Sequence, residues 1–154
     1  MQESLPENEK SDKLMKTKEK GGNKRVLSGV PESLPSILKA FFMQDKARGV
    51  GFDWEKKEDV WAKVQEEVDE VTEACEEGNP DHVEEEFGDL LFAVINAARL
   101  YGVDPETALN RSAEKFRRRF TYLEEQTLRK GLNFKDMTLA QMDAIWDEAK
   151  AKGL

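Results

Sequence analysis

The sequence has very little of the chemistry on which many enzymes depend. Among its 154 residues there is one cysteine, Cys75, and one histidine, His82. A single cysteine excludes an internal disulfide framework and is typical of a reducing cytoplasm. A single histidine leaves no metal site built from several histidines and no Ser-His-Asp triad to consider. Any chemistry must therefore depend on carboxylates, lysines and arginines.

Long apolar runs and a positive net charge are absent as well. No segment approaches the roughly 20 apolar residues of a membrane span, and the first ten residues, MQESLPENEK, lack the apolar core of a secretory signal. The formal net charge is −8, and 36% of the residues are charged. This balance disfavours binding to nucleic acid polymers or membrane surfaces. We therefore expect a soluble, cytoplasmic protein with neither kind of partner.

Sustained two-residue alternation and clusters of β-branched residues are also missing, so the chain is predicted to be all-α. Residues 1–28 are polar and rich in Lys and Glu, and we interpret them as a flexible tail or linker. Residues 29–154 are predicted to form one domain of about five helices. The predicted helices cover about residues 31–49, 55–77, 81–101, 104–131 and 138–153.

Two of the predicted helices carry acids at helical spacing. The second contains EEVDE, residues 66–70, in which Glu67 and Glu70 share one surface because they are three residues apart. The third contains EEEFGDLLF, in which Glu86 and Asp89 continue a stripe of small and apolar residues into the core. The apolar face of the second helix is predicted to consist of Val64, Val68, Val71 and Cys75.

These acids need a positive partner, because a buried unpaired carboxylate is costly. The break Gly-Asn-Pro at 78–80 makes the two helices antiparallel neighbours, so that the first pair of acids faces the second. No lysine or arginine is expected between the four acids, and a hard divalent cation such as Mg²⁺ removes their mutual repulsion. The alternative is an ordinary solvated acidic surface, which charged residues usually prefer.

The fourth predicted helix carries a basic ridge in this acidic protein. The ridge comprises Arg111, Lys115, Arg118, Arg119 and Tyr122. Beside it is a predicted buried face of Leu109, Ser112, Ala113, Phe116, Phe120 and Leu123. Arginine and lysine suit phosphate oxygens, which indicates an anionic ligand. Surface ion pairs between Lys115 or Arg119 and nearby acids are an equal alternative.

The last predicted helix places Trp146 and Lys150 four residues apart. An indole beside an ammonium group is able to stack on a nucleobase while the amine reaches a phosphate. A tryptophan on an amphipathic helix more often packs in a core or an interface, so both interpretations stay open.

Taken together, these motifs resemble the MazG family, within the superfamily of all-α nucleoside triphosphate pyrophosphohydrolases. EEVDE, followed after fifteen residues by EFGD, is similar to the EExxE…ExxD pattern of that superfamily. Three longer segments are closer still to the C-terminal catalytic domain of MazG proteins. They are GVPESLPSILKAFFMQDKARGVGFDW, FGDLLFAVINAARLYGVDPETAL and KFRRRFTYLEE. The resemblance extends over about residues 26–150.

The resemblance implies Mg²⁺-dependent hydrolysis of nucleoside triphosphates to the monophosphate and pyrophosphate, with Mn²⁺ able to substitute, as a means of clearing the nucleotide pool. The implied metal ligands are Glu67, Glu70, Glu86 and Asp89. The implied catalytic residues are Glu66 and Glu67, which would take a proton from the attacking water, and Lys115 and Arg119, which would stabilise charge on the leaving pyrophosphate. The implied substrate-binding residues are Lys115, Arg118, Arg119, Trp146 and Lys150.

The resemblance also implies a homodimer, in which dimerisation completes a core like that of a four-helix bundle. The segment before the domain resembles the linker of two-domain relatives, so we interpret the chain as a detached C-terminal half or a fragment. One position departs from the family pattern. Relatives commonly have Asn-x-Lys-Phe where this chain has AEKF, so Ala113 replaces an amide and puts activity or base preference in question.

Two other functions remain open. A base-selective dUTP or dCTP pyrophosphatase has the same fold and a narrower substrate range, and rates on canonical and modified triphosphates separate it from a broad enzyme. A non-catalytic acidic helical module that docks a basic protein belongs to a different class. Such a module needs no Mg²⁺ binding, which calorimetry measures.

Overall fold

The computed structural model describes residues 25–154, so the predicted tail at 1–28 lies almost wholly outside the described residues. Within the described part there are five α-helices and no strand, which confirms the all-α prediction. The helices are α1 Ser36–Gly49, α2 Val60–Glu77, α3 Pro80–Leu100, α4 Pro105–Arg129 and α5 Leu139–Ala151. Short 3-10 turns at Lys57–Asp59 and Phe134–Asp136 precede α2 and α5. No helix in residues 25–154 is long and apolar enough to cross a membrane.

Capping residues explain where three of the helices begin. Asn79 Oδ1 accepts hydrogen bonds from two main-chain N–H groups of the first turn of α3, and Pro80 occupies the first helical position. Asp104 Oδ1 accepts in the same way at the start of α4, as predicted. Thr138 and Gln141 form a reciprocal capping box at α5. These bonds satisfy N–H groups that a helix leaves unpaired at its start.

A tight turn joins α2 to α3. Gly78 has a φ of +76°, in the left-handed region that favours glycine, and its N–H donates to the carbonyl of Ala74. Asn79 follows as the cap of α3, so only two residues separate the helices. The two helices pack against each other as an antiparallel hairpin, and α3 also packs against α1.

The described residues form two compact units, one ending at Glu106 and the other running from Thr107 to Leu154. Each unit has its own buried apolar cluster. In the first unit this cluster comprises Val30, Leu34, Leu38 and Phe42. In the second unit it comprises Leu123, Met137 and Ile145.

The apolar face predicted for the second helix is wrong in part. The buried residues of α2 are Val60, Glu67, Val71 and Ala74. Val68 and Cys75, which were expected on this face, are exposed. The buried face is therefore rotated from the predicted one, and it includes an acid.

Within the described residues, apolar side chains on α3 and on α4 are exposed. We call Phe87, Leu91 and Val94 the α3 stripe, and all three are exposed. We call Leu109, Phe116 and Phe120 the α4 stripe, and these are exposed as well. Of the six residues predicted to be buried on α4, Leu123 is buried and the other five are exposed in the single chain. The predicted buried face is therefore wrong for those five residues.

Candidate metal centre and active site

Three carboxylates meet between α2 and α3. Side-chain oxygens of Glu67, Glu86 and Asp89 all lie within 4.8 Å of one another. Glu67 is buried at 7% exposure, Glu86 is half-buried and Asp89 is exposed. The cluster therefore leads from the packed interface of the two helices out to solvent. Three of the four predicted metal ligands are brought together.

The fourth predicted ligand, Glu70, is not part of this group of three. It is half-buried and lies three residues beyond Glu67 on α2. The charge of Glu73, then desolvation, then the charge of Glu86 raise the pKa of Glu70 above its ordinary value. The first of these causes is repulsion between like charges, so negative charge is concentrated around Glu70. The ligand role of Glu70 stays a prediction.

The acids have a basic partner that the sequence-based prediction omitted. Lys63 Nζ lies 2.7 Å from Oε1 of Glu67 and 3.3 Å from Oε1 of Glu66. The hydrogen bond with Glu67, the larger effect, and that with Glu66 raise the pKa of Lys63. The signal was present in the sequence, because Lys63 precedes the two acids by three and four residues. The expectation that no lysine stands among these acids is therefore wrong.

His82 is a second basic neighbour of the cluster. Its Nδ1 lies 2.9 Å from Oε2 of Glu77, and its Nε2 lies 3.1 Å from Oε1 of Glu86. Its hydrogen bond with Glu77, followed by the charge of Glu77 and the contact with Glu86, raises the pKa of His82. The ring thus links the end of α2 to a carboxylate of the cluster and restricts the rotamers of Glu86.

The donor set fits a hard divalent cation. Two oxygens bound to one ion at roughly 2.0–2.6 Å are separated by at most about 4–5 Å, and the three carboxylates satisfy that limit. Carboxylate oxygens are the ligands that Mg²⁺, Mn²⁺ and Ca²⁺ prefer, whereas softer metals select thiolate or imidazole. The residues present therefore suit a hard metal.

The predicted phosphate-binding residues of α4 belong to the second unit. Lys115 and Arg118 are exposed there. Arg119 is half-buried, and its Nε donates to the main-chain oxygen of Leu154 at 2.8 Å. Ala113, which replaces the amide of the family pattern, is exposed. Binding of phosphate by these residues stays a prediction.

The predicted nucleotide-binding residues of α5 lie in the second unit as well. The half-buried indole of Trp146 is tilted against the ring of Phe116, with 5.3 Å between the centroids. Lys150 is exposed, and its Nζ lies 3.9 Å from Asp147 Oδ1. The indole of Trp146 therefore packs within the unit, and nucleotide binding by Trp146 and Lys150 stays a prediction.

Comparison with known proteins covers the part of the chain that contains the carboxylate cluster. Residues 55–123 match the family model of the MazG nucleotide pyrophosphohydrolase domain. Over this range the chain is similar to the MazG nucleotide pyrophosphohydrolase domain. The matched range contains α2, α3 and every carboxylate of the cluster. MazG pyrophosphohydrolases are divalent-metal enzymes, and the cluster supplies suitable ligands within the matched range.

The chain is also similar to individual MazG proteins, which confirms the resemblance predicted from its motifs. It is 39% identical over 137 residues to the nucleoside triphosphate pyrophosphohydrolase/pyrophosphatase MazG of Thermotoga maritima, covering 88% of this chain and 52% of the relative. It is 39% identical over 127 residues to the nucleoside triphosphate pyrophosphohydrolase of Escherichia coli K12, covering 81% and 48%. The chain therefore spans about half the length of these curated relatives.

A third relative is the uncharacterized protein YabN of Bacillus subtilis. The two sequences are 43% identical over 138 residues, which is 89% of this chain and 28% of YabN. In all three comparisons the similarity covers most of this chain and only part of the relative.

Proposed function

We propose that this chain hydrolyses nucleoside triphosphates, both NTPs and dNTPs, to the nucleoside monophosphate and pyrophosphate with Mg²⁺ as cofactor. The observation that carries the proposal is the group of carboxylates of Glu67, Glu86 and Asp89 within the range that matches the MazG family model. The relatives from Thermotoga maritima and Escherichia coli bear the name of this activity. Mg²⁺ is the proposed ion because it prefers carboxylate and phosphate oxygens together, and Mn²⁺ is the proposed substitute.

The proposed reaction exchanges one bond at the α-phosphorus. The oxygen of water attacks, and the bond to the oxygen that bridges the α- and β-phosphates breaks, so that pyrophosphate leaves with that oxygen. A bound divalent cation would neutralise phosphate charge and polarise the reacting group. We assign the proton of the water to Glu66 or Glu67; Lys63 contacts both, and Glu66 is the more exposed of the two. Lys115 and Arg119 would stabilise the leaving pyrophosphate.

The proposed substrate-binding residues also include Arg118, Trp146 and Lys150. The guanidinium and ammonium groups offer donors to phosphate oxygens, and the indole offers an aromatic face to the nucleotide. The activity would remove unwanted triphosphates from a cytoplasmic nucleotide pool. The free, exposed thiol of Cys75 is compatible with that reducing compartment.

Pyrophosphate release from the common NTPs and dNTPs, with Mg²⁺ and with a chelator, tests the proposal. We expect release from several bases with Mg²⁺ and none with the chelator. Glu86→Gln should lower kcat by about 100-fold or more, because it removes a charged ligand. Glu84→Gln, an exposed acid on the same helix, should retain the activity of the unmodified chain.

Three results would redirect the assignment. Undiminished turnover by Glu86→Gln would remove the cluster from the reaction. Turnover restricted to dUTP or dCTP would favour the base-selective enzyme. A folded chain that binds no Mg²⁺ in calorimetry would favour the acidic docking module.

We also propose that the chain forms a homodimer through its uncovered apolar stripes. Exposed apolar patches mark interaction surfaces, and Leu91 in the α3 stripe is 62% exposed. Leu91→Glu should raise the dimer dissociation constant by at least ~100-fold, because an unpaired charge in an apolar interface costs several kcal/mol. Light scattering after gel filtration measures whether the chain is a monomer or a dimer. Leu139→Glu, at an exposed residue outside both stripes, should stay dimeric, and a monomeric unmodified chain would contradict the proposal.

A further inference from the structure

The last turn of α5 ends in a compact motif that depends on Gly153. Lys152 caps the helix, and Gly153 follows with a φ of +80°, in the left-handed region that favours glycine. The N–H of Gly153 donates to the carbonyl of Lys150 at 3.0 Å, and the N–H of Leu154 donates to that of Ala149 at 3.1 Å. This pair of bonds is a Schellman motif. Ala149 is 0% exposed, so the motif ties the main chain of Leu154 to the packed interior of the second unit.

The main-chain oxygen of Leu154 is the partner of Arg119 on α4. Nε of Arg119 donates to this oxygen at 2.8 Å. A guanidinium group has five N–H donors, one on Nε and two on each Nη. Both Nη atoms of Arg119 reach solvent, because no nitrogen of this half-buried side chain is buried without a partner. The Schellman motif therefore engages one donor of Arg119 and leaves the other four at the surface.

The contact with Leu154 determines which edge of the guanidinium is available. An oxyanion binds an arginine fork through two parallel N–H bonds, and with Nε engaged the free fork is the one formed by Nη1 and Nη2. The bond at Nε also restricts the rotamers of a long side chain that would otherwise lose this freedom on binding. Arg119 is thus preorganised to bind phosphate end-on.

A second set of contacts holds the end of α5 against α4. Tyr122 lies three residues beyond Arg119, so the two side chains share one surface of α4. The hydroxyl of Tyr122 donates to Oε2 of Glu148 at 3.1 Å. Nζ of Lys152 lies 5.2 Å from the centroid of the Tyr122 ring. These contacts keep the turn at Gly153 close to Arg119.

The charges on this part of α4 suit an anionic ligand. Arg117 pairs with Glu114 at 3.2 Å. Among residues 25–154 no acid forms an ion pair with Arg119 or with Lys115, which lies four residues before it. Two unpaired cations on one surface of a chain with a net charge of −8 favour an anion such as phosphate.

We propose that Gly153 is a positioning residue for substrate binding. Its left-handed turn puts the main-chain oxygen of Leu154 at Nε of Arg119, and the guanidinium held in this way binds the phosphates that leave as pyrophosphate. This inference rests on the proposed function, in which Arg119 stabilises the leaving group. The alternative is that Arg119 only caps the carbonyls at the end of α5, as basic side chains commonly do. Capping alone affects stability and not affinity for pyrophosphate.

Titration of the full chain with inorganic pyrophosphate in Mg²⁺, followed by calorimetry, tests the proposal. Gly153→Val should raise the dissociation constant about tenfold, because a β-branched residue disfavours the left-handed region and Leu154 then moves away from Nε. Gly153→Asn should bind within about twofold of the unmodified chain, because asparagine tolerates that region. A Cβ at Gly153 would meet no atom within 4 Å beyond its chain neighbours, so these variants differ in backbone preference and not in crowding.

Gly131→Val is the matched control. Gly131 ends α4 with a φ of +66°, and the N–H groups of Gly131 and Leu132 donate to the carbonyls of Leu128 and Thr127. The motif is thus the same as that at Gly153, and a Cβ at Gly131 also meets open space. No side chain among residues 25–154 donates to the main-chain oxygen of Leu132. Gly131→Val should therefore lower the unfolding temperature and leave the affinity for pyrophosphate unchanged.

A double-mutant cycle shows whether Gly153 acts through Arg119. Arg119→Gln removes the guanidinium, so adding Gly153→Val to it should change the dissociation constant by less than about twofold. Four results would overturn the inference. They are unchanged affinity in Gly153→Val, an equal loss in Gly153→Asn, a loss that persists beside Arg119→Gln, and no pyrophosphate binding by the unmodified chain. The first of these, with a lower unfolding temperature, is the result expected of a cap.

The proposed function is tested separately by pyrophosphate release from NTPs. Release by the unmodified chain, alongside any of these four results, leaves the proposed function standing. Absence of release contradicts the proposed function alone, because the titration with pyrophosphate still decides the role of Gly153.

Discussion

Asp89→Asn is expected to lose most of its turnover and yet to make the chain more stable in the presence of a chelator. The side-chain oxygen of Asp89 lies within 4.8 Å of those of Glu67 and Glu86, so the substitution removes one of three like charges and keeps the shape. Without a metal ion, this relief of repulsion should raise the free energy of unfolding by about 0.5–1 kcal/mol at an exposed position. With Mg²⁺, loss of a ligand should lower kcat at least ~100-fold.

Urea unfolding in chelator and in Mg²⁺, together with pyrophosphate release, measures both effects. The unmodified chain should gain stability from Mg²⁺, because an ion that binds only the folded state stabilises it, and Asp89→Asn should gain little. Glu84→Gln serves as the matched control. If Asp89→Asn proved less stable than the unmodified chain in chelator, the repulsion argument would be wrong, and full activity would remove Asp89 from the site.

Asp53→Ala should be the most destabilising of the changes considered. Arg99 is 6% exposed at its side chain, and two of its nitrogens donate to Asp53 at 2.6 and 3.2 Å. Among residues 25–154, removing the carboxylate leaves the buried guanidinium with hydrogen bonds to Asn96 alone, which should cost about 3–5 kcal/mol at neutral pH. Urea unfolding measures the loss. Glu55→Ala, at an exposed acid in the same loop, should cost less than about 0.5 kcal/mol.

This cost should depend on pH. The hydrogen bond from Arg99 lowers the pKa of Asp53 below its ordinary value. A carboxyl with a lower pKa in the folded chain contributes stability above its unfolded pKa, about 3.9, and loses it as the pH falls through the folded pKa. The difference in unfolding free energy between the unmodified chain and Asp53→Ala should therefore be constant from pH 7 to about 5 and shrink below about pH 4. If the difference in unfolding free energy were as large at pH 3 as at pH 7, this account would be wrong.

Features that depend on local spacing were predictable from the sequence. Asn79 and Pro80 mark the start of α3, and Thr138 marks that of α5, because helix caps require particular side chains at particular positions. The meeting of Glu67 with Glu86 and Asp89 was predictable for the same reason, since a short break between two helices fixes which faces meet.

Features that depend on what covers a surface were not predictable. Phe116 and Phe120 have the spacing of a buried face and yet are exposed. Periodicity identifies an apolar face, but it does not show which element, if any, packs on that face. The bond between Gln44 and Phe92 joins residues 48 positions apart, a pairing that no short-range pattern reveals. The role of Lys63 was missed although its spacing was visible, because the acids were counted without the base that precedes them.

The two-residue turn between α2 and α3 makes the acid cluster sensitive to chain length. Each helical residue turns the side chains by about 100°. One residue added beside Gly78 or Asn79 would shift the phase of Glu86 and Asp89 relative to Glu67, and the three oxygens would no longer converge. Substitutions on the exposed surface of the two helices, away from Gly78 and Asn79, leave this phase intact. The length of the connection is therefore as much a part of the metal site as the carboxylates themselves.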